Sequence, residues 1–240
     1  MSISPPVLSG VFVFGLMVGS FLNVCIWRIP ADEQIVKGRS HCRSCGKQIA
    51  AYDNIPLLSF AWLGGKCRQC KARISWSYPS VELATGLLFA GIVARFGWTY
   101  LALVYAVLGA ALILLSVIDL REMILPDEIT LPGISWGLIV SFFVPELHGA
   151  ATRWGGLWAG VAGVLAGAGF IWGIRALGNT VLGLLRRLGI YFRRNKFWRL
   201  KLAHYRHMKE SMGLGDVTRM AMVGAVIGVW KVLLVNLVLA

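Results

Sequence analysis

The sequence predicts an all-α polytopic membrane protein with about six transmembrane helices and a small cytoplasmic zinc-ribbon-like domain. Three observations carry that prediction. The 240 residues are 57% hydrophobic with a mean hydropathy of +0.69, too apolar for a soluble domain of this length. Apolar runs recur at lengths close to the ~20 residues that a bilayer helix needs. The longest polar stretch between them holds two C-x-x-C pairs.

The candidate spans are Pro6–Trp27, Val81–Phe96, Tyr100–Ile118, Ile129–Leu147, Gly155–Leu177 and Val217–Leu239. The second is short and is expected to borrow from its flanks. No basic residue precedes the first, and Arg28 follows it, so it reads as a retained span rather than a cleavable signal peptide. The chain thus divides into a first helix (1–27), a cytoplasmic metal-binding loop (28–79) and helices two to five (80–178). A basic amphipathic segment (179–211) and a final motif with the sixth helix (212–240) complete it.

Charge orients these spans. Lys and Arg crowd the stretches 28–73 and 175–209, whereas the other connections hold little beyond Arg95 and Arg153. The positive-inside rule makes both crowded stretches cytoplasmic and the N-terminus external. Six spans threaded from that start bring Asp119, at the end of the third, and Asp216, at the start of the sixth, to the same inner face. The net charge of +13 reads as this bias plus attraction to anionic inner-leaflet lipid; nucleic-acid binding is set aside.

Cys42, Cys45, Cys67 and Cys70 lie in Cys42-Arg-Ser-Cys45 and Cys67-Arg-Gln-Cys70, with 21 residues between the pairs. Two such knuckles complete a tetrahedral site of four thiolates. Gly46 follows the first knuckle, where a tight turn is useful, and Lys71 has the equivalent place in the second. Two disulfides or a redox pair are the competing readings, disfavoured by a cytoplasmic location. Four sulfur ligands leave no open position, so zinc here is structural. Cys25, inside the first span, reads as a small packing residue.

Recurring small residues, Gly15 with Gly19, Gly163 with Gly167 and Gly224 with Gly228, allow close helix approach. The run Gly160-Val-Ala-Gly163-Val-Leu-Ala-Gly167 superficially resembles a nucleotide fingerprint, but no strand precedes it, so packing is the reading.

Asp119 and Asp216 are the candidate catalytic residues. A carboxylate at membrane depth is costly unless it has a partner or a function. The dipole at a helix end also disfavours the negative charge of Asp119. Gly213 and Gly215 in Gly213-Leu214-Gly215-Asp216 permit close backbone approach before the last helix; simple N-capping by Asp216 is the alternative. Pro126 is expected to end a helix before the next span. Asp127 is expected to cap the fourth span, and Glu82, with Ser80 as the cap, to stabilise the start of the second. Two carboxylates sharing one proton supply aspartic-protease chemistry: one activates water, the other donates to the oxyanion. No zinc-protease helix motif or nucleophile elbow competes. A proton- or ion-coupled transporter and a non-catalytic zinc-containing scaffold are the alternative classes.

The residues Gly19-Ser20-Phe21-Leu22-Asn23-Val24, the two knuckles, Tyr52-Asp53-Asn54-Ile55-Pro56-Leu57-Leu58-Ser59, Tyr78-Pro79 with Val81-Glu82-Leu83, Asp119 with Leu125-Pro126-Asp127, and Gly213-Leu214-Gly215-Asp216 occur in that order. The ordered set resembles the type IV prepilin leader peptidases, over roughly residues 10–135 and 211–235. That resemblance implies that Asp119 and Asp216 are the catalytic pair and that the cysteines bind zinc. It implies cleavage of a short charged leader from type IV prepilins or type II secretion pseudopilins at the cytoplasmic side of a bacterial inner membrane. It further implies methylation of the new N-terminal residue with S-adenosylmethionine, for which no donor pocket is legible in the residues themselves. The Tyr52–Ser59 stretch also reads as a turn-rich lid packing the zinc loop onto the membrane. Two departures stand out. The segment Arg175–Ser211 is longer and more basic than the family's usual connection and is expected to lie on the inner leaflet as an amphipathic helix. Family members usually continue through further membrane helices beyond the position of Ala240.

Overall fold

The computed structural model describes residues 3–36, 40–187 and 214–229. Among these the secondary structure is helical apart from two isolated antiparallel bridges, His41 with Gln48 and Lys66 with Arg73. The helices are α1 (Pro5–Arg28), α2 (Leu58–Trp62), α3 (Ser77–Phe96), α4 (Tyr100–Glu122), α5 (Asp127–Phe143), α6 (Arg153–Arg187) and α7 (Leu214–Ile227), with 3-10 turns at Ala51–Asn54 and Pro145–His148. They fall into two compact units, 1–129 and 130–240.

In the first unit α1 lies against α3 along the stripe set by Gly15 and Gly19. A Cβ at Gly15 would stand 2.8 Å from the Gly86 Cα, and one at Gly19 2.7 Å from the Glu82 Cα. Both are closer than side chains can pack, so only glycine lets these backbones meet. Leu22, Cys25 and Ile26 of α1, Val81 of α3, and Leu114 and Ile118 of α4 form the buried core beside that contact. Cys25 is a packing residue, 4% exposed. Pro79 sits in the first turn of α3, where its missing N–H is no loss. The second span has therefore drawn in its flank and reaches 20 residues.

The expectation that Ser80 caps that helix is corrected. The cap position is Trp76 and makes no side-chain bond, while Ser80 Oγ donates back to the Trp76 carbonyl at 2.8 Å. Helix geometry is already established by Ser77, one turn before the expected start. At its other end α4 begins with a working cap, Ala102 N donating to Thr99 Oγ1 at 3.2 Å. It ends not at Pro126 but at Met123, whose backbone turns into the left-handed region (φ 54°) while its N–H returns to the Asp119 carbonyl at 2.9 Å.

In the second unit α6 and α7 cross on glycine. A Cβ at Gly163 would fall onto the Gly224 carbonyl, a Cβ at Gly224 onto the Gly163 carbonyl, and one at Gly167 onto that of Met220. This is the packing role read for the glycine run of α6. On α5, Gly133 and Gly137 likewise admit Met222 and Ala225. The fully buried Ser141 hydroxyl lies 2.7 Å from the Gly137 carbonyl, 2.9 Å from that of Ala225 and 2.8 Å from His148 Nε2. It ties α5, α7 and the Pro145–His148 turn at one point. Gly228 has two roles: its Cα would stand 3.2 Å from a Cβ at Gly163, and it takes φ +78° where α7 ends.

Among the described residues four helices are long and apolar enough to cross a membrane: α1, α3, α4 and the part of α6 from Arg153 to Thr180. The 17-residue α5, which contains Pro132, and the 14 residues of α7 are shorter. α6 runs to Arg187, past the expected end of the fifth span at Leu177. Gly213 and most of the basic segment 179–211 lie outside the described residues.

Candidate active site and metal centre

The two cysteine pairs build near-identical knuckles. In the first, Cys42 N donates to the Lys47 carbonyl (2.8 Å) and Gly46 N to that of Cys42 (2.7 Å). In the second, Cys67 N donates to Ala72 (2.9 Å) and Lys71 N to Cys67 (3.0 Å). Gly46 and Lys71 both take positive φ, 69° and 60°, so Lys71 accepts a left-handed conformation that glycine adopts freely. The bridges between His41 and Gln48 and between Lys66 and Arg73 close the two hairpins at equivalent places.

This arrangement brings all four sulfurs within 4.8 Å of one another, with Cys42 Sγ 3.8 Å from Cys70 Sγ. Four sulfurs at zinc–thiolate bond length span tetrahedral edges of about 3.8 Å, so these residues fit a tetrahedral metal. The N–H groups of Cys70 and Gln69, aimed at the Cys67 sulfur, bring that thiol down to about 6. Against the Ala72 N–H, desolvation and the neighbouring sulfurs push Cys70 up to about 11, so the first proton leaves from Cys67.

The stretch between the knuckles is tied at both ends. Asp53 accepts a fork from Arg68, with Nη2 2.6 Å from Oδ1 and Nε 2.8 Å from Oδ2. That bond holds the Asp53 carboxyl below the usual range. Ser59 Oγ donates to the Tyr52 carbonyl (3.0 Å) and accepts from Ile55 N (2.9 Å). Leu57 takes φ 58° and donates its N–H to Glu82 Oε2 at 2.9 Å. Glu82 is 8% exposed; its carboxyl holds this loop and also meets the Ser20 hydroxyl of α1, rather than serving the first turn of its own helix. Nearby, Asn23 Nδ2 donates to the Tyr78 carbonyl (3.0 Å), and Arg28 folds the chain after α1 by donating to Gln34 and Ile35 carbonyls (3.0 and 3.1 Å).

Asp119 lies in the last turn of α4, half-buried, one residue after the fully buried Ile118. Asp127 is exposed in the first turn of α5. Asp216 is half-buried in the first turn of α7 beside Gly215. Its Oδ1 pairs with Arg219 Nη2 at 3.0 Å, and Thr218 Oγ1 donates to the Gly215 carbonyl at 2.9 Å. The first unit thus gathers the four cysteines, Glu82 and Asp119, and the second holds Asp216.

Residues 13–96 match the bacterial peptidase A24 N-terminal domain, and residues 106–240, containing both Asp119 and Asp216, match the type IV leader peptidase family. The chain belongs to the type IV leader peptidase family. Relatives bearing the name prepilin leader peptidase/N-methyltransferase include one from Myxococcus xanthus, 49% identical over 146 residues, or 58% of this chain and 44% of that protein. One from Pseudomonas putida is 35% identical over 95% of this chain and 75% of its own length, and one from Aeromonas hydrophila 36% identical over 96% and 76%. No solved structure matches the chain.

Sequence reading missed several partners in this family member's site. Arg219 carries a legible signal, the three-residue helical spacing from Asp216. Trp27, Arg43 and Arg121, which meet in space, carry none. Arg43 and Arg121 both lie over the Trp27 indole, each guanidinium carbon 3.2 Å from the ring centroid, and Tyr78 stacks beside it at 6.3 Å between centroids.

Proposed function

We infer that this chain is a multi-pass inner-membrane peptidase that removes the leader from type IV prepilins or type II secretion pseudopilins, with Asp119 and Asp216 as its reacting carboxylates. The observation that carries the reading is the family match over residues 106–240, which encloses the two acids, one at the end of α4 and one at the start of α7. Paired carboxylates cannot both ionise at close range, so they share a proton and titrate as a unit. The ionised member takes a proton from water as its oxygen attacks the scissile carbonyl. The neutral member donates to the developing oxyanion, and the carboxyl that took the proton from water returns it to the nitrogen as the tetrahedral intermediate collapses and the C–N bond breaks. Asp127 and Glu82 support the site, Asp127 at the start of α5 and Glu82 through the loop it holds. The sequence Gly213-Leu214-Gly215-Asp216, with no side chain at either glycine, suits close approach of substrate backbone.

About six spans are read from the apolar runs, and an external N-terminus and a cytoplasmic active site from the distribution of Lys and Arg. Zinc on Cys42, Cys45, Cys67 and Cys70 is structural, a closed four-sulfur site without a position for water. Exposed Leu58 and Trp62 on α2, with exposed Trp76 just before α3, suit a module resting on the anionic inner leaflet. The N-methyltransferase in the relatives' names supports a second, methylating activity; the new N-terminal residue as acceptor and S-adenosylmethionine as donor rest on the family resemblance alone. Acids at helix ends suit a boundary peptidase better than a transporter, whose acids would line a midplane path.

The test incubates membranes containing the chain with a prepilin and reads the product's N-terminus by mass spectrometry. Leader removal and one added methyl group are expected. Asp119→Asn or Asp216→Asn should abolish cleavage while the protein still inserts and binds zinc. Full processing by either variant would sink the paired-acid mechanism.

A further inference from the structure

Each knuckle carries an arginine directly after its first cysteine, Arg43 and Arg68. The two side chains brace the metal module on different parts of the membrane unit. Arg68 forks onto Asp53 and so reaches the Tyr52–Ser59 stretch, whose Leu57 amide is held by Glu82 of α3. Arg43 lies on Trp27, in the last turn of α1, where it meets Arg121. Arg121 is two residues beyond Asp119, in the same final turn of α4.

Two guanidiniums over one indole repel each other, so the assembly persists only if both are delivered by rigid supports. Cation–π attraction offsets the repulsion on each side. Arg121 is delivered by a helix. Arg43 is delivered by a hairpin whose shape is fixed by the Cys42 N–Lys47 O and Gly46 N–Cys42 O bonds and by whatever joins the sulfurs of Cys42 and Cys45 to those of Cys67 and Cys70. The metal that these four sulfurs fit is that joint.

We propose that Arg43, Trp27 and Arg121 are positioning residues that transmit metal occupancy to the end of α4, so that a loaded knuckle steadies the turn carrying Asp119. The role of Asp119 as a reacting carboxylate rests on the function proposed above; the mechanical coupling does not. The clasp also accounts for a second feature. Met123 ends α4 in a left-handed conformation, so no continuing helix steadies that turn from beyond.

Hydrogen-exchange mass spectrometry of the full-length protein in detergent tests the coupling, with zinc content measured by elemental analysis on the same samples. Chelation of zinc should speed exchange in peptides spanning the last turn of α4 by about fivefold, the scale of one cation–π contact. Trp27→Leu should show that faster exchange with zinc still bound, and chelation should then add nothing. Trp27→Phe, which keeps an aromatic face, should restore much of the protection. Arg43→Ala, on an exposed loop, is the second variant should Trp27→Leu fail to fold, and should behave as Trp27→Leu does. Arg68→Ala should loosen the Tyr52–Ser59 stretch and leave the α4 turn unchanged. In cleavage assays Trp27→Leu should lower kcat more than it alters KM. Wild-type protection of the α4 turn after zinc removal, or in zinc-loaded Arg43→Ala, would overturn the proposal. Neither result depends on whether Asp119 reacts, so a failure here is separable from a failure of the paired-acid mechanism.

Discussion

Glu82 accepts the amide of Leu57, a residue 25 positions earlier whose positive φ presents its N–H toward α3. The bond needs an acceptor and does not need a charge. Glu82→Gln should therefore keep the loop in place, whereas Glu82→Ala should cost about 1–3 kcal/mol by stranding that amide, read as a lowered unfolding midpoint in detergent. Cys67 sets a pH dependence. Its thiol is depressed from an ordinary value of 9.0 to about 6 in the metal-free cluster. A depressed acid contributes stability that is complete above its unfolded value, shrinks as pH falls and is gone below its folded value. Protons compete with zinc for these sulfurs, so zinc affinity should weaken steadily as pH falls, measured by release to a colorimetric chelator. The Asp53–Arg68 pair has the same sign, and its lowered carboxyl keeps it intact at mildly acidic pH. The cysteines were legible because ligand spacing is local. The Glu82–Leu57 bond was not, because nothing in either segment names the other as its partner.

Among the helices, glycine spacing was the most readable feature, since a four-residue repeat places small residues on one face whatever the helix packs against. It foretold the close approach of α1 to α3 and of α6 to α7. It did not show that Gly228, besides packing beside Gly163, takes positive φ at the end of α7. The start of α3 was misread because Pro79 suggests a boundary, yet proline is tolerated inside a first turn. The contact of α6 with α7 gives a clean comparison. Gly163→Val forces a side chain onto the Gly224 backbone and should destabilise by about 1–3 kcal/mol. Gly169→Val, where a Cβ would meet nothing within 4 Å, should stay within about 1 kcal/mol, the helix-propensity difference. Unfolding in mixed micelles distinguishes the two.

For the molecule as a whole, the apolar runs and the order of motifs carried the class, the membrane setting and the family. They could not reveal how the metal module is fastened, because Trp27, Arg43 and Arg121 come from three separate segments. Replacing Cys42 and Cys45 together by Ser should abolish zinc content and expose the loop between α1 and α3 to protease, with the helices still inserted. Unchanged metal stoichiometry would exclude the four-sulfur site. The glycine contact between α6 and α7 bears on genetics as well as stability. Gly163 and Gly224 abut each other's carbonyls, and both are already the smallest residue available. No shrinking mutation in the facing partner can therefore restore a strain damaged at either position. Suppressors should instead arise at distant sites that let the two helices separate, and reversion should require return to glycine itself.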